Sequence, residues 1–156
     1  MEVQTTTRNV RMSAQKLREV VRQIQGLNAL QAQAVLAVLP RKGARLAAKT
    51  LASALGDAAH IRSEWNQSKA EQEVSDLQAK LPNARDRKLR AKYTRELARY
   101  QSFLDSKNRL APESLWVKEA VAGTATTTKR FIPKARGSGG PILKRSCHIK
   151  IVLSDE

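Results

Sequence analysis

Leu17, Val20, Val21 and Ile24 fall at i, i+3, i+4 and i+7 between Ser13 and Gly26, so residues 14–25 are expected to form an amphipathic helix. Ser13 stands at the N-cap, Gly26 supplies the stop, and Lys16, Arg18 and Arg22 are left for the wet side. A second helix follows from Asn28 as cap and the run "ALQAQAVLAVL", closed by Pro40, which cannot continue helical hydrogen bonding. From Arg41 a third helix carries Leu46, Leu51, Ala54, Leu55 and Ala58 on its apolar side. Before them all, "VQTTTRNVRM" is β-branched and polar, the composition of a strand with Arg8 and Arg11 at a surface.

Residues 62 to about 110 show two further stripes. Val74, Leu77 and Leu81 make one, "LPN" at 81–83 a break, and Leu89, Tyr93, Leu97, Tyr100 and Leu104 the other. The pattern predicts an antiparallel helical hairpin, with Trp65 capping its base. Opposite charges at i, i+4 (Asp76 with Lys80, Asp86 with Arg90, Asp105 with Arg109) support exposed faces by about 0.2–0.5 kcal/mol per pair.

Beyond "LAPESL" the period changes to two. Leu115, Val117 and Val121 are expected on one side of a strand, and Cys147, Ile149, Ile151 and Leu153 on one side of another. Between them the chain has almost nothing apolar with which to build a core. Lys129, Arg130, Lys134 and Arg136 on one arm and Lys144 and Arg145 on the other flank a bend marked by Gly137, Gly139, Gly140, Pro133 and Pro141. This predicts a long cationic β-ribbon, marginal in isolation. Cations facing one another across it would repel at roughly 1 kcal/mol per close pair in water unless an anion lies between.

Charge sharpens that picture. The 156 residues hold 29 Lys and Arg against 14 Asp and Glu, a formal charge of +15, which favours a polyanionic partner and nucleic acid above all. Residues 62–114, with twelve cations and eight acids, are the mixed-charge part; 1–61 have nine against three and 115–156 eight against three. Arg41, Lys42, Arg45 and Lys49 crowd the start of the third helix, where each uncompensated cation opposes the helix dipole at about 0.3–1 kcal/mol. No stretch is long and apolar enough to span a membrane, and the first residues lack the apolar run of a secretory signal, so a soluble cytoplasmic protein is expected. One cysteine, Cys147, rules out an internal disulfide framework, and two histidines, His60 and His148, make a zinc site improbable; neither metal nor cofactor is expected.

Catalytic motifs are weak. "GSGGPILKRS" fails as a phosphate-binding P-loop because Leu143 precedes the lysine where glycine is required and Arg145 replaces the Ser or Thr. His148 has no nucleophile arrangement beside it, and Cys147 falls on the apolar side of its strand, so packing or an RNA contact outweighs catalysis for both. Trp116 is read first as a sheet-packing residue, with base stacking as the other role.

Three blocks, "VRMSAQKLREVVRQIQG", "AVLPRKGARLAAKTLASAL" and "KRFIPKARGSGGPILKRSCHIKIV", together resemble the bacterial large-subunit ribosomal protein L twenty-two family. The resemblance covers residues 1–61 and 113–153 and is most specific in the last block. It implies an α+β fold: three helices packed on a small antiparallel sheet, with a long β-hairpin extension at about 122–146. Residues 62–112 are then an inserted α-helical hairpin. It further implies a non-enzymatic constituent of the large ribosomal subunit, present as one copy beside neighbouring ribosomal proteins. The hairpin would thread ribosomal RNA and end at the wall of the peptide exit tunnel.

Carried onto this chain, RNA contacts are expected from Arg8, Arg11, Lys16, Arg18, Arg41, Lys42, Arg45, Lys129, Arg130, Lys134, Arg136, Lys144, Arg145 and His148. The tunnel tip is expected at Gly137, Ser138, Gly139, Gly140 and Pro141, near the nascent peptide. The chain departs from the family at Ala14-Gln15, which replace Pro-Arg, at Ala125-Thr126, which replace Gly-Pro, and in the uncharged tip. The competing readings are an architectural DNA-binding protein with a basic ribbon arm and a nucleotide-using enzyme.

Overall fold

The computed structural model describes residues 1–64, 67–82, 86–105 and 110–155. Trp65, Arg109 and the end of the "LPN" break lie outside them. In order, the elements are β1 (Glu2–Val10), α1 (Ala14–Ile24), α2 (Ala29–Val38), α3 (Lys42–Glu64), α4 (Gln67–Lys80), α5 (Arg87–Asp105), β2 (Trp116–Thr124), β3 (Thr128–Pro133), β4 (Gly139–Lys144) and β5 (Cys147–Ser154). The fold is α+β. β5 is the central strand of a three-stranded antiparallel sheet ordered β1-β5-β2, and β3 and β4 form a separate two-stranded ribbon.

The apolar stripe of the first helix points inward: Leu17, Val20, Val21 and Ile24 are buried. α3 meets them with small side chains, since Ala44, Ala47, Ala54 and Ala58 are buried with Leu51, while Leu46 and Leu55 pack only partly against the core. The packing is tight at Gly43, where a Cβ would lie 2.8 Å from Met12 Cε and 3.3 Å from Val20 Cγ2. Gly26, at φ +81°, turns the chain out of α1, and its N–H donates to Val117 O at 2.8 Å. Ala29 N–H to Leu115 O and Val117 N–H to Leu27 O extend that pairing, so the α1–α2 connection covers the outer edge of β2.

β5 keeps the expected alternation, with Cys147, Ile149, Ile151 and Leu153 buried. β2 does not. Its register slips by one between Val117 and Glu119, so Val117 and then Ala120 and Ala122 point inward and Val121 is exposed. A bulge reverses every later side chain, which is why the expected grouping of Val121 with Val117 fails. Trp116 also leaves the core: it is half exposed on the side opposite Val117.

The helical hairpin forms, and α3 runs into it as far as Glu64. Asp86 caps α5 by accepting from Lys88 N–H at 3.0 Å. At i, i+4, Lys92 pairs with Glu96 at 3.8 Å, and His60 Nε2 lies 3.5 Å from Glu64 Oε2. The hairpin is tied to the rest of the chain more firmly than its stripes suggest. Phe103, outside the predicted stripe, is 2% exposed and joins Ala70 and Leu110 in the main core.

Candidate nucleic-acid interface

Two helices begin at one place. α1 and α3 both lack an acidic residue in the first turn, and the Ser13 side chain makes no capping hydrogen bond. Unsatisfied N–H groups and the positive dipole ends therefore face an open groove of about 560 Å³ lined by Met12, Ser13, Lys16, Glu19, Arg41, Lys42 and Gly43. An anion is the complement of such a place. Glu19 is the one acid on its wall, and it is ion-paired with Arg41. The expected dipole penalty at Arg41 is thus partly relieved from within the chain rather than only by an external anion.

Ser13 also lines a second groove of about 310 Å³, between the start of α1 and the root of the ribbon, with Arg18, Thr124, Thr127, Arg145 and Ser146. Arg18 Nε donates to Ala122 O at 3.2 Å, fixing the guanidinium to the strand at that root. Ser13 lines both grooves, so Lys16, Arg41 and Lys42 on one side of it and Arg18 and Arg145 on the other make up one basic surface, called the channel below. Arg45 is exposed one turn further along α3.

Arg8, Arg11 and His148 line neither groove. Thr5 and Thr7 turn toward α3, where they meet Asp57 at 2.6 Å and Thr50 at 2.9 Å, which leaves Arg8 on the open side of the sheet. His148 is half-buried, and its Nδ1 accepts from Asn9 N–H at 3.1 Å, leaving Nε2 as the outward donor. Asn9, at φ +55°, sits in the register break between Thr7 and Val10 that makes this contact possible. Cys147 is fully buried; burial pushes its thiol pKa up, and no nucleophile results.

Lys129, Arg130, Lys134, Arg136, Lys144 and Arg145 are all exposed, as is every residue of β3. Their arrangement differs from the expectation of cation facing cation. Lys129 is opposite Leu143, Arg130 opposite Ile142, and Lys144 opposite Thr128. The register interleaves charge with neutral residues, so self-repulsion is smaller and each face presents cations beside apolar side chains. Phe131, Ile132 and Leu143 are exposed with them.

The tip is also better held than glycine content implies. Lys134 N–H donates to Ser138 O at 2.7 Å and Ser138 Oγ to Ala135 O at 2.9 Å, around Arg136 and Gly137 at φ +56° and +72°. Among the described residues no helix is long and apolar enough to cross a membrane, and no group of three or more His, Cys, Asp or Glu is placed to hold a metal ion.

A helix-backed antiparallel sheet with a basic surface and a solvent-exposed cationic ribbon is, in class, a protein suited to a polyanionic partner. The family model described as ribosomal protein L22p/L17e matches residues 5–92 and 71–154, and the chain belongs to that family. The two matched stretches overlap at residues 71–92, within α4 and α5. It is 34% identical over 155 residues to the large ribosomal subunit protein uL22 of Opitutus terrae, covering 99% of this chain and 96% of that protein. The proteins of the same name from Akkermansia muciniphila and Methylacidiphilum infernorum are 31% and 30% identical over 156 residues, covering all of this chain and 98% and 96% of theirs.

Proposed function

We propose that this protein, a structural constituent of the large ribosomal subunit, binds large-subunit ribosomal RNA along the channel from Lys16, Arg41 and Lys42 to Arg18 and Arg145. The ribbon β3–β4 continues that track. The observation that carries the reading is the convergence of two acid-free helix N-termini on a groove that shares Ser13 with the root of the ribbon. Arg8, Arg11, Arg45 and His148 add phosphate contacts from the open side of the sheet and the flank of α3. The role is structural rather than catalytic: the chain supports assembly by holding RNA segments together, as one copy among neighbouring ribosomal proteins in the cytoplasm. The ribbon reaches the wall of the peptide exit tunnel, with Gly137 to Pro141 nearest the nascent peptide. In this reading the helical hairpin is an addition to an RNA-binding core formed by residues 1–61 and 113–156.

Phosphate binding releases counterions, so log affinity falls with log salt at about −0.7 to −0.9 per phosphate neutralised. A filter-binding series on large-subunit RNA is expected to show that steep dependence, with K16Q/K42Q weakening binding to all RNA segments alike. Affinity flat in salt, or a preference for duplex DNA over ribosomal RNA, would overturn the reading.

A further inference from the structure

The charge of the helical hairpin is not shared between its helices. α5 carries six Lys and Arg against two acids, whereas α4 carries two against three. Within α5, Lys88, Lys92, Arg95 and Arg99 recur at steps of four, three and four, which places them on one helical face about 16 Å long. All four are exposed. Tyr93, Leu97, Tyr100 and Leu104 on the other side of α5 are half-buried, and Phe103, one turn beyond Arg99 on the stripe's own side, is in the core. That packing fixes the rotation of the helix, so the stripe is aimed by the fold rather than by a loose arm. Glu64, Glu73 and Asp76 line a groove with Lys69 and Tyr100, the residue after Arg99. Within the stripe, Lys92 pairs with Glu96 at 3.8 Å.

We propose that this face of α5 is a second RNA-binding surface, gripping the phosphate backbone of a ribosomal RNA segment different from the one in the α1–α3 channel. The proposal rests on the ribosomal reading above and deepens it. An exposed row of four cations with a fixed orientation complements a line of phosphates, and charge complementarity of this kind gives affinity without sequence preference. The hairpin would then act as a brace, one end anchored in the core by Phe103 and the other on RNA.

The test uses the full chain with K88Q/K92Q/R95Q/R99Q, reconstituted into large subunits and compared with K16Q/K42Q. The stripe variant is expected to enter subunits but to lose one discrete patch of hydroxyl-radical protection, and its log–log salt slope should be shallower by about 3. The channel variant should instead weaken every protection. An unchanged footprint and slope for the stripe variant would overturn the proposal while leaving the channel reading intact. Failure of the unsubstituted chain to bind ribosomal RNA would overturn both. Should the stripe variant fold poorly, Arg95→Cys carrying a benzophenone answers the same question, because Cys147 is buried and stays unlabelled. Crosslinks to RNA from position 95 are expected; crosslinks only to a neighbouring protein would overturn the proposal.

Discussion

The ring of Phe131 lies across the backbone of Gly139, so closely that a Cβ there would fall 1.9 Å from Phe131 Cε2. Phe131 is opposite Pro141 in the ribbon and reaches diagonally to the glycine, covering a gap that a side chain would otherwise fill. Gly139→Ala is expected to swing the exposed ring away and loosen the tip. Amide exchange at Lys134, which is bonded to Ser138, should speed up while the melting temperature of the core hardly moves. Unchanged exchange would mean that the ring does not hold the tip.

Gly43 controls how closely α3 approaches α1, with Met12 and Val20 already against it. Gly43→Leu should cost about 1–3 kcal/mol by overpacking and spread the cations of the groove. Urea unfolding and RNA affinity measured on the same variant should both fall. A loss of stability with full RNA affinity would separate the helix contact from the binding site.

Glu19 holds Arg41 at an exposed ion pair, an interaction worth about 0–1 kcal/mol at a surface. Glu19→Gln is therefore expected to leave folding nearly unchanged while releasing Arg41 to phosphate. RNA should bind more tightly, with a salt slope steeper by up to about 1. Weaker binding would show that Arg41 is positioned by Glu19 rather than restrained by it.

Phe103 makes the helical hairpin part of the core. Phe103→Ala should cost about 3–5 kcal/mol, as for other buried phenylalanines, and replacing all of 62–112 by a short linker would forfeit Phe103, Ala70 and Leu110 together. Replacing only 74–97 by Gly-Ser should be far milder. Equal denaturation midpoints for the two deletions would contradict this anchoring.

The helices and β5 were legible because their burial repeats locally: Leu17 to Ile24 and Cys147 to Leu153 announce their inward faces without knowledge of any partner. What depended on a partner was not. The slip at Lys118 is set by pairing with β5, and the neighbours Phe103 and Leu104 can be told apart only once the hairpin is docked. Of the site, the sequence disclosed the exposed cations but not their grouping. Arg41 and Glu19 are 22 residues apart, and Ser13 joins the two grooves only through the tertiary fold. The α5 stripe was visible as a 4-3-4 spacing of Lys and Arg, in the shadow of the apolar stripe beside it.

A density map of the large subunit assembled with this chain would show what fills the channel and surrounds the ribbon. RNA phosphates are expected within ion-pair distance of Lys16, Lys42 and Arg145, and RNA against both faces of β3–β4 from Lys129 to the tip. A map in which that channel opens to solvent, with the ribbon lying against protein alone, would contradict it.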